Sequence, residues 1–313
     1  MHTIVAFFGG QGCQYPGMGK SLYQESAEAR EVYRCASDIL GFDVAKVSFE
    51  GTAEELARTA ICQPVLFTHS LAAWEAVSGR LPEVAAVAGH SLGEYAALYC
   101  AGAFSMEDGF RLIGARAKVM ESAALLAPGT MVAIRGGEAD DIREVCRKHE
   151  NVWAVNFNAP GQTVISGQED SCLAAAQELS DMGLRATRLS VGSAFHTPMM
   201  QPAADGLRDL IGDIRYSQPS CDFYSNLTGG ILEVDNYTDY FAAHMVSPVR
   251  FTEQVAAMSG AGVDTCVEFG PGKTVSTLAK KNDRSLTTMN VECAQTLEKT
   301  IGAIMSESGS TAL

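Results

Sequence analysis

The chemistry of this chain centres on Gly89-His90-Ser91-Leu92-Gly93, a GxSxG pentapeptide. It lies between an uncharged run, Val84-Ala85-Ala86-Val87-Ala88, and a stretch rich in helix formers, Glu94-Tyr95-Ala96-Ala97-Leu98. The run is short and β-branched at Val84 and Val87, as a buried strand should be. A serine at such a strand-to-helix corner is held in a strained backbone conformation. Flanking glycines remove Cβ atoms where the chain bends sharply and packs closely. The hydroxyl then stands at a helix N-terminus, where main-chain N–H groups stabilise developing negative charge. The amide of the residue after the nucleophile, Leu92, is the donor such an elbow supplies. By itself the pentapeptide also fits a glycine-rich turn, but the strand before it and the helix after it favour a nucleophile.

A serine hydroxyl is nearly unreactive at neutral pH and needs a base to take its proton. The six histidines are His2, His69, His90, His149, His196 and His244. His2 is terminal, and His149 closes a charged helix, Arg147-Lys148-His149-Glu150. His69 falls inside an apolar helical pattern and reads as a packed or surface residue. His90 adjoins Ser91, but side chains at adjacent positions of an elbow point apart. His196 lies in Gly192-Ser193-Ala194-Phe195-His196-Thr197-Pro198, where a middle segment rejoins the rest of the chain. Clefts form at such junctions.

The elements that must carry these residues alternate. Ile4–Phe8 and Val84–Ala88 read as strands, and 27–40, 63–78 and about 105–126 as helices. Strand–helix alternation implies a parallel sheet covered by helices. The middle differs: strand 131–134, helix 140–149, strands 152–157 and 163–166, helix 168–182 and strand 186–191. This β-α-β-β-α-β order is the ferredoxin-like pattern. After Pro198 come a long helix and two strands, 221–225 and 265–269. The expected fold is α/β: an α/β-hydrolase-like core with a parallel sheet, residues 1–127 and 192–313, and an inserted ferredoxin-like α+β subdomain, 128–191. The active cleft is expected between them.

Composition sets the outer bounds. A chain of 313 residues can bury a large core and a smaller subdomain. No run approaches the roughly 18 apolar residues of a membrane span. The first residues lack a basic n-region and cleavage site and read as a buried strand, so a cytoplasmic protein is expected. Nine cysteines without a CxxC pair imply reduced thiols, not disulfides or zinc. A net charge of −14 disfavours nucleic acid as a partner. Lys273, Lys280, Lys281 and Arg284 cluster near the C-terminal end. They read either as a solvated helix end or as a docking patch for an acidic partner. The stretch from Ser306 to Leu313 reads as a polar, frayed tail.

Five blocks occur in order: Phe8-Gly9-Gly10-Gln11-Gly12-Cys13-Gln14, Gly89-His90-Ser91-Leu92-Gly93-Glu94, Ala115-Arg116-Ala117-Lys118-Val119-Met120, Ala194-Phe195-His196-Thr197-Pro198 and Ser247-Pro248-Val249-Arg250-Phe251. With them the chain resembles malonyl-CoA:acyl carrier protein transacylases and the related acyltransferase domains of polyketide synthases, from Thr3 to about Thr300. The resemblance implies that Ser91 carries the malonyl group as an ester. It makes His196 the base, which later protonates the departing thiolate, its ring oriented by main-chain carbonyls instead of an Asp. The N–H groups of Gln11 and Leu92 become the oxyanion hole. Arg116, which alone would pass for a surface residue, becomes the clamp on the malonate carboxylate, a task suited to a planar, always charged fork. Asn158 and Gln63 match pocket positions, although read alone they are a turn and a helix residue.

Some positions depart from the family pattern. Gly9 stands for Pro, Cys13 for Ser, and Glu121 for Gln. His244 stands where Gln is frequent and where the carbonyl helps orient the catalytic imidazole, so it brings a further titratable ring. The implied reaction is ping-pong malonyl transfer from malonyl-CoA to the phosphopantetheine thiol of an acyl carrier protein, in fatty acid or polyketide synthesis. It uses no metal or redox cofactor, and a monomer is expected. Two alternatives stand beside it: a serine hydrolase that clears acyl groups from carrier proteins, and a catalytically silent docking subunit. Ser91, His196 and Arg116 together favour the transferase.

Overall fold

The structure is a computed structural model and describes residues 3–77 and 79–309. Among them are the strands Ile4–Phe8 (β1), Ala86–Gly89 (β2), Gly129–Arg135 (β3), Val152–Ala159 (β4), Gln162–Gln168 (β5), Arg185–Arg188 (β6), Asp222–Tyr224 (β7), Thr265–Phe269 (β8) and Thr287–Val291 (β9). β1 has no polar side chain and is buried along its length, as the central strand of a covered sheet must be. It is the middle of a five-stranded parallel sheet in the order β7-β2-β1-β8-β9. Alternation along β1 sends Ile4, Ala6 and Phe8 to one face and Val5 and Phe7 to the other. The first set packs under the helix Thr59–Glu75, with Phe8 against Trp74 and Phe269. The second meets Phe251, Val255 and Leu278 of the helices Phe251–Gly260 and Thr274–Asn282. Each buried phenylalanine contributes about 1.5–3 kcal/mol of hydrophobic stabilisation.

The remaining strands form an antiparallel sheet in the order β4-β5-β3-β6, the ferredoxin-like arrangement. Its helices Ala139–Lys148 and Glu169–Asp181 cover one face and enclose a separate small core around Ile134, Ile142, Ile165 and Leu179. This sheet is tied to the other part of the chain through the backbone. Phe157 N–H donates to Val249 O at 2.9 Å, and Val249 N–H donates to Val155 O at 2.7 Å. Thr252 Oγ1 adds a bond to Phe157 O at 3.1 Å.

Several elements differ from their sequence expectation. β2 starts at Ala86 and runs through Gly89, leaving Val84 and Ala85 outside the sheet. β6 stops at Arg188, and as a mostly exposed edge strand it pairs only with β3. The helix expected from Gln63 begins at Thr59. Pro64, which favours a helix's first turn, sits inside it after a turn closed by the Arg58 carbonyl. β9 is missing from the expectation altogether: Thr287, Thr288 and Asn290 give it no apolar run, and it forms an edge. The helix after Pro198 is only 11 residues, Gln201–Ile211. His2, Ser78 and residues 310–313 lie outside the described residues. All nine cysteines are free thiols. No helix among the described residues is long and apolar enough to cross a membrane. No His, Cys, Asp or Glu cluster among them could hold a metal ion.

Candidate active site

The elbow follows from two close approaches. A Cβ on Gly89 would lie 2.1 Å from the carbonyl carbon of Gly93, and one on Gly93 would lie 2.0 Å from Phe8 O. Only glycine lets the turn fold back on itself and lets the helix Gly93–Cys100 sit against β1. Between them Ser91 adopts φ 51°, in the left-handed region. His196 also has positive φ, 63°. Its Nε2 is 2.7 Å from Ser91 Oγ. On the other side of the ring, Nδ1 donates to Ser247 O at 3.0 Å, which leaves Nε2 as the acceptor for the serine hydroxyl. The backbone of His244 supports the charged form of the same ring to a smaller extent. The sequence credits the orienting carbonyl to His244; the bond at 3.0 Å comes from Ser247.

Burial pushes the His196 imidazole down to about 3, helped by the Arg116 cation and by His90. The ring is therefore neutral at physiological pH, the state that can accept a proton. It faces a cleft of about 370 Å³ whose walls include Gln11, Ser91 and Arg116 from one part of the chain and Met131, Asn156 and Leu189 from the other. The main-chain N–H groups of Gln11 and Leu92 have no acceptor among the described residues, and both residues line the cleft.

Arg116 is the most unusual member. It sits mid-way along the helix Met106–Leu126, is 2 % exposed, and lines the cleft. Its guanidinium lies over the Tyr95 ring, 5.0 Å from the centroid. Its Nε has no hydrogen-bond partner, and no carboxylate among the described residues is within ion-pair distance. A buried cation left this way costs several kcal/mol until an anion joins it.

The other sequence-derived positions lie behind the lining. Asn158 Oδ1 is 2.7 Å from His90 Nε2, so it fixes the ring beside Ser91. Asn156, two residues earlier and not singled out by the sequence, lines the cleft with a buried Oδ1 that has no partner. Gln63 is buried and donates through Nε2 to Met120 Sδ, itself a lining residue. The His244 ring packs edge-on to His196, with centroids 5.6 Å apart. His69 is packed, its Nε2 2.8 Å from Glu292 O, and His149 pairs with Glu178 at 2.9 Å.

Sequence reasoning passes over Asn226. Its Oδ1 accepts the Ser91 N–H at 2.7 Å, and its Nδ2 donates to Gly89 O at 2.7 Å, so one carboxamide holds both sides of the elbow. No local signal reveals a residue acting from such a distance along the chain. Lys273, Lys280, Lys281 and Arg284 are exposed and line an open groove with Pro160 and Asn290. The groove's helix reaches the layer behind the cleft, since Asn282 Nδ2 donates to Asn158 O at 2.8 Å.

The fold is α/β, with a histidine imidazole set against a serine hydroxyl at the C-terminal edge of a parallel sheet. The chain belongs to the acyl transferase domain family, which matches residues 5–303. It is 36% identical to the malonyl CoA-acyl carrier protein transacylase of Bacillus subtilis over 98% of this chain and 99% of the relative. The Escherichia coli K12 protein of the same name is 36% identical over 91% of this chain and 94% of its own. Among solved structures, a malonyl CoA-acyl carrier protein transacylase from Clostridium perfringens superposes with a TM-score of 0.94 at 34% identity, covering 99% of this chain and all of that one. A malonyl-transacylase solved in complex with a type II polyketide synthase acyl-carrier protein gives 0.92 at 31% identity, over 96% of this chain and 99% of that one.

Proposed function

We propose that this chain transfers a malonyl group from malonyl-CoA to the phosphopantetheine thiol of an acyl carrier protein, by way of an ester on Ser91. The observation that carries the reading is Arg116: a buried cation in the cleft, with no carboxylate among the described residues within ion-pair distance. A donor with a free carboxylate supplies the missing charge through two parallel hydrogen bonds. In the first half-reaction Ser91 Oγ attacks the thioester carbonyl while His196 Nε2 takes its proton. The oxyanion forms against the N–H groups of Gln11 and Leu92. The C–S bond then breaks, His196 returns its proton to the thiolate, and CoA leaves. In the second half-reaction the carrier thiol gives its proton to His196 and attacks the ester, and the proton returns to Ser91 Oγ. Thioester and ester are close in energy, so positioning and charge stabilisation carry the catalysis, without metal or redox cofactor.

With the core assigned to 1–127 and 192–313 and the subdomain to 128–191, the cleft falls between them and the ester is shielded on both sides. The carrier protein docks across the basic groove of Lys273, Lys280, Lys281 and Arg284, whose charge is opposite to the chain's net −14. Intact-protein mass after mixing with malonyl-CoA tests the reading. A malonyl adduct that persists until carrier protein is added, and that is absent in Ser91→Ala, is the expected result. Rapid release of free malonate would make the protein a hydrolase, and no adduct at all would make it a silent subunit. His196→Ala should slow adduct formation by about two to four orders of magnitude, the weight of a general base.

A further inference from the structure

Behind the nucleophile and its base runs a buried polar chain that the mechanism above does not use. Glu94, on the first turn of the helix after Ser91, is 0 % exposed. Its Oε1 accepts the main-chain N–H of Asn226, the residue that holds the elbow. Its Oε2 accepts the Tyr240 hydroxyl at 2.5 Å and lies 3.1 Å from His244 Nε2. That last contact lacks the alignment of a hydrogen bond, and both His244 ring nitrogens are buried without a partner. His244 in turn packs against His196. One carboxyl thus touches the support of the nucleophile on one side and the neighbour of the base on the other.

We propose that Glu94 is a positioning residue for chemistry at Ser91: it fixes Asn226, and the charge on its carboxyl sets how readily His196 takes the serine proton. The proposal rests on the Ser91–His196 pair as nucleophile and base. The groups facing Glu94 are Tyr240 and His244 from the helix Tyr237–Val246, Arg116 from the helix Met106–Leu126, and Tyr95 beside it. Beyond His244 stand His196 and His90. Burial pushes the Glu94 carboxyl up to about 8, against the pull of the Tyr240 hydroxyl, the Asn226 N–H and the Arg116 cation. His244 is held well below its ordinary value by burial, then by His196 and Arg116, so it stays neutral. At neutral pH Glu94 therefore keeps its proton and adds no charge to the site. As pH rises through about 8 the proton leaves, and a carboxylate acts on Arg116 and, across the His244 ring, on the imidazolium that forms when His196 accepts the serine proton. That imidazolium becomes easier to form. One pKa unit gained by the base gives an increase of about threefold in the rate of serine attack.

The test uses a fluorophosphonate probe, which labels the serine without an acyl donor: Ser91 Oγ bonds to phosphorus, fluoride leaves, and His196 takes the proton. Failure of the malonyl reading therefore leaves this measurement intact. Labelling rates are followed from pH 6 to 9.5. The wild type should show a rise of about threefold centred near pH 8, and Glu94→Gln, which cannot titrate, should lose it. Tyr240→Phe removes a donor that favours the carboxylate, so its rise should move to higher pH. Should Glu94→Gln fail to fold, the Tyr240→Phe shift decides alone. A wild-type profile without the rise, a rise that survives in Glu94→Gln, or a Tyr240→Phe profile that does not move overturns the proposal.

Discussion

Ser91 carries its hydroxyl on a backbone with φ 51°, a conformation that an L-residue adopts at a cost of roughly 1–2 kcal/mol. Ser91→Ala and Ser91→Gly both remove the hydroxyl proposed as nucleophile, but only glycine relieves that strain. We expect Ser91→Gly to be more stable than Ser91→Ala by about 1 kcal/mol, read from urea midpoints. For Arg116→Ala the expected effect is on selectivity. Malonyl transfer should lose about 2–4 kcal/mol of transition-state stabilisation, as when one partner of a buried charge pair is removed. Transfer from acetyl-CoA, which brings no carboxylate, should change little. Equal losses with both donors would make Arg116 a residue of the fold alone. Ser91 is legible in the sequence because an elbow is a local object, and His196 because its loop is where the middle segment rejoins the rest. Arg116 is not legible from residues, since a helical arginine is ordinarily solvated; only the family resemblance points inward.

The elbow helix and β1 meet across Gly93, and this contact fixes where Ser91 stands. Gly93→Ala would put a methyl 2.0 Å from Phe8 O, so the helix must back away from the strand. We expect a loss of about 1–3 kcal/mol in stability and a fall in labelling of Ser91 at least as large as that of a mutation inside the cleft. Chemical denaturation and adduct formation measured on the same preparation check both. Elements with a strong period are the ones legible in the sequence: β1 and β8 fall at Ile4–Phe8 and Thr265–Phe269, and the helix Ala27–Leu40 matches to the residue. Elements that depend on partners are not. β9 is polar and exists because β8 offers an edge, and Gln254 and Asn226 are recruited from remote segments to hold the elbow.

Several buried histidines make the molecule sensitive to acid. His69 is pushed down to about 4 and His196 to about 3, both chiefly by burial, and His90 and His244 are lowered for the same first reason. A histidine depressed in the folded state binds its proton more readily when unfolded. Its contribution is therefore complete above about pH 6.5 and lost as pH falls through the folded values. Glu94 has the opposite sign: raised to about 8, its contribution is present below the ordinary carboxylate range and lost as pH rises through 8. Thermal melts should thus decline steeply from pH 6.5 towards 4 and more gently as pH rises from 6.5 to about 8, levelling off beyond. At the surface, Lys280→Glu with Lys281→Glu should raise KM for carrier protein and leave acylation by malonyl-CoA unchanged. An equal effect on both half-reactions would place the docking surface elsewhere. Finally, Val249, between the helices Tyr237–Val246 and Phe251–Gly260, bonds through its backbone to Val155 and Phe157 of the antiparallel sheet, while Phe251 just after it packs on Phe7 of β1. Loss of either sheet therefore strips a partner from the segment that packs on the other, so the two should unfold in a single cooperative event. Calorimetry would then give one heat-absorption peak with calorimetric and van't Hoff enthalpies in a ratio of about one, and amide exchange in β4 would track that in β1.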